Sequence, residues 1–118
     1  AGVEALENTD EAVVEMREAF AGRRDMLLDL FADHGVDVPD PEGAFYMMVP
    51  VDADCEALGG DAAAPVDQAW CEGAIDDAHV AMVPGSAFGT PGYARLSYAA
   101  SAERLREGVS RLAEAGYL

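Results

Sequence analysis

The sequence predicts an α+β fold: a small mixed or antiparallel sheet of about three to four strands, an α/β sandwich with its helices mainly on one face. Three observations point there. Apolar residues recur at helical spacing in three segments, and three shorter apolar runs lie between them. The resulting order is helix, strand, helix, strand, strand, helix. The 118 residues suit a single domain, 1–118, which buries roughly two-thirds of the surface its unfolded chain exposes.

The first helix is the clearest element. Asn8 or Thr9 can cap it, and Asn8 with Glu11 has the spacing of a capping box. Val13, Met16, Phe20, Leu27, Leu30 and Phe31 follow on one stripe, and Gly35 stands where a left-handed cap would close it. A helix of about 25 residues would run roughly 38 Å, along one side of the domain or bent around Gly22. Pro39 and Pro41 enforce an extended turn before a strand from Phe45 to Val51. Asp52 to Ala64 reads as a loop. Pro65 suits the first turn of a second helix reaching Asp77, with Val66, Trp70 and Ala74 on one stripe. Val80–Val83 reads as a short buried strand stopped by Pro84 and Gly85, Gly85–Gly92 as a loop, and Arg95–Ala99 as the last strand. Ser101 can cap the final helix, whose stripe is Leu105, Val109 and Leu112, and Gly116 ends it.

Charge excludes whole classes of partner. Asp and Glu number 23 against 7 basic residues, all of them arginine, for a net charge of −16. Nucleic acid and anionic membrane both need positive charge, so neither is expected. No apolar run approaches a bilayer's thickness, and the first ten residues lack the pattern of a signal peptide. A cytoplasmic protein is expected. Self-repulsion at this charge density is screened at molar salt, where the Debye length falls to about 3 Å. A lysine-free acidic chain therefore suits a salt-rich cytoplasm, such as that of a halophilic archaeon. Cys55 and Cys71 lack metal spacing and read as reduced thiols.

Candidate sites are few. Along Arg95-Leu96-Ser97-Tyr98-Ala99 side chains alternate between faces, so Leu96 and Tyr98 should meet the helices while Arg95, Ser97 and Ala99 face away. From strand position alone, the commoner role for Arg95 is a surface ion pair. The alternative is recognition of a carboxylate by a planar fork of donors. The loop Val83-Pro84-Gly85-Ser86-Ala87-Phe88-Gly89 is neither a dinucleotide fingerprint nor a nucleophile elbow. Asp52, Asp54 and Glu56 begin like a calcium loop, but Ala57 and Ala63 stand where Gly and Glu are needed. His34 and His79 have no partner at metal or triad spacing, and Trp70, Met47, Met48 and Met82 read as core. No catalytic residue and no metal site is expected.

Four segments, in order, resemble one family. Phe20-Ala21-Gly22-Arg23-Arg24-Asp25 is similar to the arginine pair on the long helix of class I and II aminotransferases of fold-type I. Pro41-Glu42-Gly43-Ala44-Phe45-Tyr46 resembles that family's P-x-G-A-F-Y segment, and Val83 to Gly89 its V-P-G-x-x-F-G loop. Ala94-Arg95-Leu96-Ser97-Tyr98-Ala99 with Ser101 resembles its R-[LI]-S-[YF]-A-x-S strand and cap. The likeness runs from about Val13 to Leu112, closest to the prokaryotic aspartate and aromatic enzymes.

The resemblance implies the carboxyl-terminal small domain of an enzyme that moves an amino group between an amino acid and a 2-oxo acid. It makes Arg95 the clamp on the substrate's α-carboxylate and sets Gly43 and Phe45 beside the substrate as pocket wall. The family's cofactor is pyridoxal phosphate, held through a lysine, and this chain has no lysine. The cofactor would belong to the parent's large domain, the parent would be a homodimer, and the isolated chain would be inactive. A start without methionine fits a fragment. The competing expectations are a domain of a fold-type I lyase or synthase, and a stand-alone ferredoxin-like ligand-binding module.

Overall fold

A computed structural model of the chain describes residues 2–58 and 65–118. Among these residues four helices, α1 (Gly2–Glu7), α2 (Asp10–Asp33), α3 (Val66–Ala78) and α4 (Ala102–Glu114), accompany three strands, β1 (Tyr46–Pro50), β2 (Val83–Pro84) and β3 (Tyr93–Ser97). The sheet is antiparallel throughout, in the order β1-β3-β2, so the strand that carries Arg95 is the central one. The expected α+β class holds.

Register explains which side chains are buried. Directly opposed residues of antiparallel strands share a face. Val49, Ala94 and Pro84 form one row, with Met47 beside Leu96 in the next. This face meets the helices: Met47, Val49 and Ala94 are fully buried with Trp70, Leu27, Phe31 and Leu112. Met48, Arg95 and Val83 form a row on the opposite face, which no helix covers among the described residues. Leu96 and Tyr98 do face the core, as expected, with Tyr98 just beyond the strand's end.

Helix ends follow local chemistry. Gly35 has φ +77° and Gly116 φ +81°, and Val36 and Tyr117 close back onto the carbonyls of Phe31 and Leu112. Ser101 accepts the Arg104 amide at 3.3 Å, capping α4. The expected cap of α2 is absent. Thr9 is the N-cap residue but makes no side-chain cap, because its hydroxyl donates to Ala5 while Asn8 donates to Glu4. The short helix α1, which periodicity missed, draws both side chains backwards.

Two strands differ from expectation. The segment Val80–Val83 is not a buried strand. His79 ends α3 in the left-handed region at φ +56°, and the Val80 amide turns back to Ala74, so Val80–Met82 serve the helix exit and pairing starts at Val83. The last strand covers Tyr93–Ser97 rather than Arg95–Ala99. Within the glycine loop, Gly85–Phe88 winds into a 3-10 turn. The long helix α2 is 24 residues and unbroken at Gly22. Only Leu27 and Phe31 of it are buried, while Val13 and Met16 near its start are 53% and 54% exposed. Of the acidic loop, Asp52 to Leu58 is described, with a 3-10 turn at Glu56–Leu58; Ala63 lies outside the described residues.

Candidate functional site

Arg95 rises from the middle of the open face between two aromatic rings. Its guanidinium carbon lies 4.3 Å from the centre of the Tyr46 ring, which comes from β1, and 4.0 Å from that of Phe88, which comes from the 3-10 turn after β2. A cation over a ring face gains about 0.5–1 kcal/mol at an exposed site and more when desolvated. The gain falls off when the guanidinium leaves the ring faces, so the pair of rings restricts where its donors can point.

Among the described residues, the surface ion pair that strand position favoured does not form. Among the described residues the ion pairs are Arg24 with Asp25 and Asp40, and Arg111 with Glu107. Arg95 has no carboxylate within 4.0 Å and no hydrogen-bond acceptor among them, in a chain with 23 acidic residues. Its N–H donors are therefore available to an anion that is not part of the described fold.

Gly43 and Phe45 lie on a neighbouring groove of about 450 Å³, whose walls include Phe20, Arg24 and Tyr98. The two regions share an aromatic run. The rings of Phe20 and Phe45 stack at 5.9 Å, Phe45 and Tyr46 lie 4.5 Å apart, and Tyr46 reaches Arg95. Tyr98 ties the loop to the central strand: its amide donates to the Phe45 carbonyl at 2.9 Å and its hydroxyl to the Ala44 carbonyl at 3.2 Å. Burial pushes the Tyr98 hydroxyl above its ordinary value, so it stays a donor. Arg95 and Phe45 are thus joined, while Gly43 sits farther along the groove wall.

Sequence reasoning missed three residues here. Tyr46 and Phe88 belong to the family-like motifs, but their meeting on Arg95 depends on the strand register. The third is Asp67, second residue of α3, 1% exposed, and the one buried charged side chain among the described residues. Its carboxylate accepts the Ser86 amide at 2.6 Å. Burial alone would raise this carboxyl's affinity for a proton. The bond from the Ser86 amide, helped by the nearby Ser86 hydroxyl and the backbone amides of Asp67 and Gly92, outweighs burial and holds it below its ordinary value of 3.8.

No group of three or more metal-binding side chains is gathered among the described residues. His34 and His79 both sit at helix carboxyl ends. Cys55 and Cys71 are free and buried.

The sequence profile described as aminotransferase class I and II matches residues 1–112. This chain belongs to that family. Among class I and II aminotransferases it is 47% identical over 116 residues to a probable aspartate/prephenate aminotransferase of Aquifex aeolicus, covering 96% of this chain and 28% of that protein. Of solved relatives, an aromatic aminotransferase from Pyrococcus horikoshii superposes with a TM-score of 0.75 at 32% identity, over 95% of this chain and 29% of that one. The aspartate aminotransferase of Thermus thermophilus with maleate gives a TM-score of 0.71 at 34% identity, over 97% and 28%. The chain thus spans under a third of the length of these aminotransferases.

Proposed function

We propose that this chain is the carboxyl-terminal small domain of a pyridoxal-phosphate-dependent transaminase, and that Arg95 holds the α-carboxylate of its amino-acid and 2-oxo-acid substrates. The observation that carries the reading is Arg95 itself: a guanidinium placed between Tyr46 and Phe88 on the central strand, with no acceptor among the described residues. A planar carboxylate can accept two parallel N–H bonds from such a fork. Each charge-assisted bond is worth about 1.5–3 kcal/mol, and the pair fixes the substrate's orientation as well as its affinity. The maleate bound by the Thermus relative is a dicarboxylate, in keeping with that chemistry. Phe45 and Gly43 would extend the wall of the same pocket.

The chain does not fit the cofactor's covalent anchor. Its basic side chains are all arginine, and a guanidinium stays protonated at neutral pH and does not act as the amine of a Schiff base. In this reading the cofactor is held by a large domain elsewhere in a longer, homodimeric enzyme, and the isolated chain does not transaminate. The exposed Val13 and Met16 of α2 supply apolar surface of the kind that would meet that domain. The charge of −16 without lysine fits a halophilic archaeon's salt-rich cytoplasm.

In the full-length enzyme, Arg95→Ala should lower kcat/KM for the amino acid by at least tenfold, about 1.4 kcal/mol. Arg95→Lys should not restore it, because an ammonium lacks the fork. A fall smaller than tenfold in Arg95→Ala removes Arg95 as the clamp.

A further inference from the structure

We infer that Asp67 is a positioning residue for Arg95, acting through the turn that carries Phe88; the inference rests on the reading of Arg95 as the carboxylate clamp. The link is continuous. The Asp67 carboxylate grips the Ser86 amide at 2.6 Å, Ser86 lies in the 3-10 turn Gly85–Phe88, and the Phe88 ring lies 4.0 Å from the Arg95 guanidinium.

Phe88 is 48% exposed, so packing around its ring is only partial. Its position over Arg95 is set by the backbone of the turn, and that backbone is fastened at two points. Behind it, the Thr90 amide donates to the Gly85 carbonyl at 2.9 Å, and Gly85 lies so close to the carbonyls of Thr90 and Tyr93 that a Cβ there would meet both. In front, Asp67 takes the Ser86 amide. An acidic residue near a helix start is ordinarily solvated and serves the helix dipole alone. Asp67 is instead 1% exposed, and burying a carboxylate is costly unless its hydrogen bonds are made. Its bond reaches across 19 residues to the turn. If the carboxylate is lost, the turn is free to shift, Phe88 leaves the guanidinium, and the donors of Arg95 lose one of the two rings that hold their direction.

Two sets of measurements test this. In the full-length enzyme, kcat and KM for the amino acid are measured for Asp67→Asn, Phe88→Leu and the double variant. Asp67→Asn should raise KM by roughly tenfold, and the double variant should be no worse than the poorer single variant, because both act on one contact. A KM within twofold of wild type, or single effects that multiply in the double variant, would overturn the proposal. The second set uses the 118-residue chain. The ring currents of Tyr46 and Phe88 should displace the Arg95 Nε–H resonance in ¹⁵N-labelled protein, and Asp67→Asn and Phe88→Leu should move it in the same direction. A resonance unmoved by Asp67→Asn refutes the link whatever Arg95 binds. Conversely, moved resonances beside an Arg95→Ala enzyme of normal KM would uphold the link and discard the carboxylate reading. Hydrogen exchange in the wild-type chain needs no variant: the Ser86 amide should be protected to within tenfold of the α3 amides, and exchange at an unprotected rate would mean that the anchor does not exist.

Discussion

The Tyr98 hydroxyl donates to the carbonyl of Ala44 at 3.2 Å, across 54 residues of sequence. Ala44 has φ +58°, a left-handed conformation that costs an alanine roughly 1–2 kcal/mol. The bond holds the strained residue against the end of β3, and with it the loop that carries Gly43 and Phe45. Tyr98→Phe should cost about 0.5–1.5 kcal/mol of stability in urea unfolding. It should also speed exchange of the Tyr98 amide, which donates to the Phe45 carbonyl beside it. An unchanged midpoint would show that the bond contributes nothing.

Gly85→Ala should be worse tolerated than its ordinary backbone angles suggest. The added methyl would meet the Thr90 and Tyr93 carbonyls, which are backbone and cannot rotate away. A loss of about 1–3 kcal/mol is expected from overpacking. Gly89→Ala serves as the contrast. Nothing lies near its Cβ, and its φ of +75° makes conformational strain the source of any loss. Equal stability of Gly85→Ala and wild type would contradict the close approach.

Alkaline pH should loosen the core in two stages. Burial, with Asp67 and Glu72 nearby, pushes the Cys71 thiol from 9.0 up to about 11. Burial and a hydrogen bond to Asp77 push the Tyr117 hydroxyl above its ordinary 10.0. In both, the folded state holds the proton more tightly than the unfolded chain. The stability gained is complete below the unfolded value and is lost as pH rises through the folded one. Unfolding free energy should therefore be level up to pH 9.0, decline towards about 11, and steepen as Tyr117 joins. Cys71→Ala should flatten the first stage, and Tyr117→Phe the second. A wild-type curve level to pH 11 would exclude both effects.

Salt should stabilise this chain strongly. At about 0.1 M ionic strength the Debye length is about 10 Å, and at 1 M about 3 Å, so repulsion among exposed carboxylates is largely removed. The melting temperature should climb as potassium chloride rises to molar concentration, and equal midpoints at low and molar salt would refute the halophilic reading. Sodium chloride should act similarly, because screening depends on ionic strength.

Much of this architecture was legible because burial imposes period. Leu27 and Phe31, like Leu105, Val109 and Leu112, stand at helical spacing because one helix face meets the core. Leu96 and Tyr98 alternate with Arg95 for the same reason in a strand. What escaped was set by contacts distant in sequence or by chain direction. Val80 to Met82 are apolar enough for a strand, yet the turn at His79 spends them on leaving α3. The helix α1 buries none of its residues, so it carries no stripe to read. Arg95 was found by likeness of motif, whereas its two aromatic neighbours depend on the β1-β3 register and on a turn. Asp67 looked like any acid at a helix start; its position directly after Val66 at the opening of α3, three residues before Trp70, gave no sign of Ser86 above it.

The order β1-β3-β2 has a last consequence. Sheets fray from their margins, and β2 is only two residues long. With hydrogen-bonded neighbours on both sides, the middle strand opens only after a margin has already let go. Partial unfolding would thus peel away β2 and the turn with Phe88 before it reached the backbone of Arg95, so a damaged molecule would keep its guanidinium in place while losing the ring that aims it.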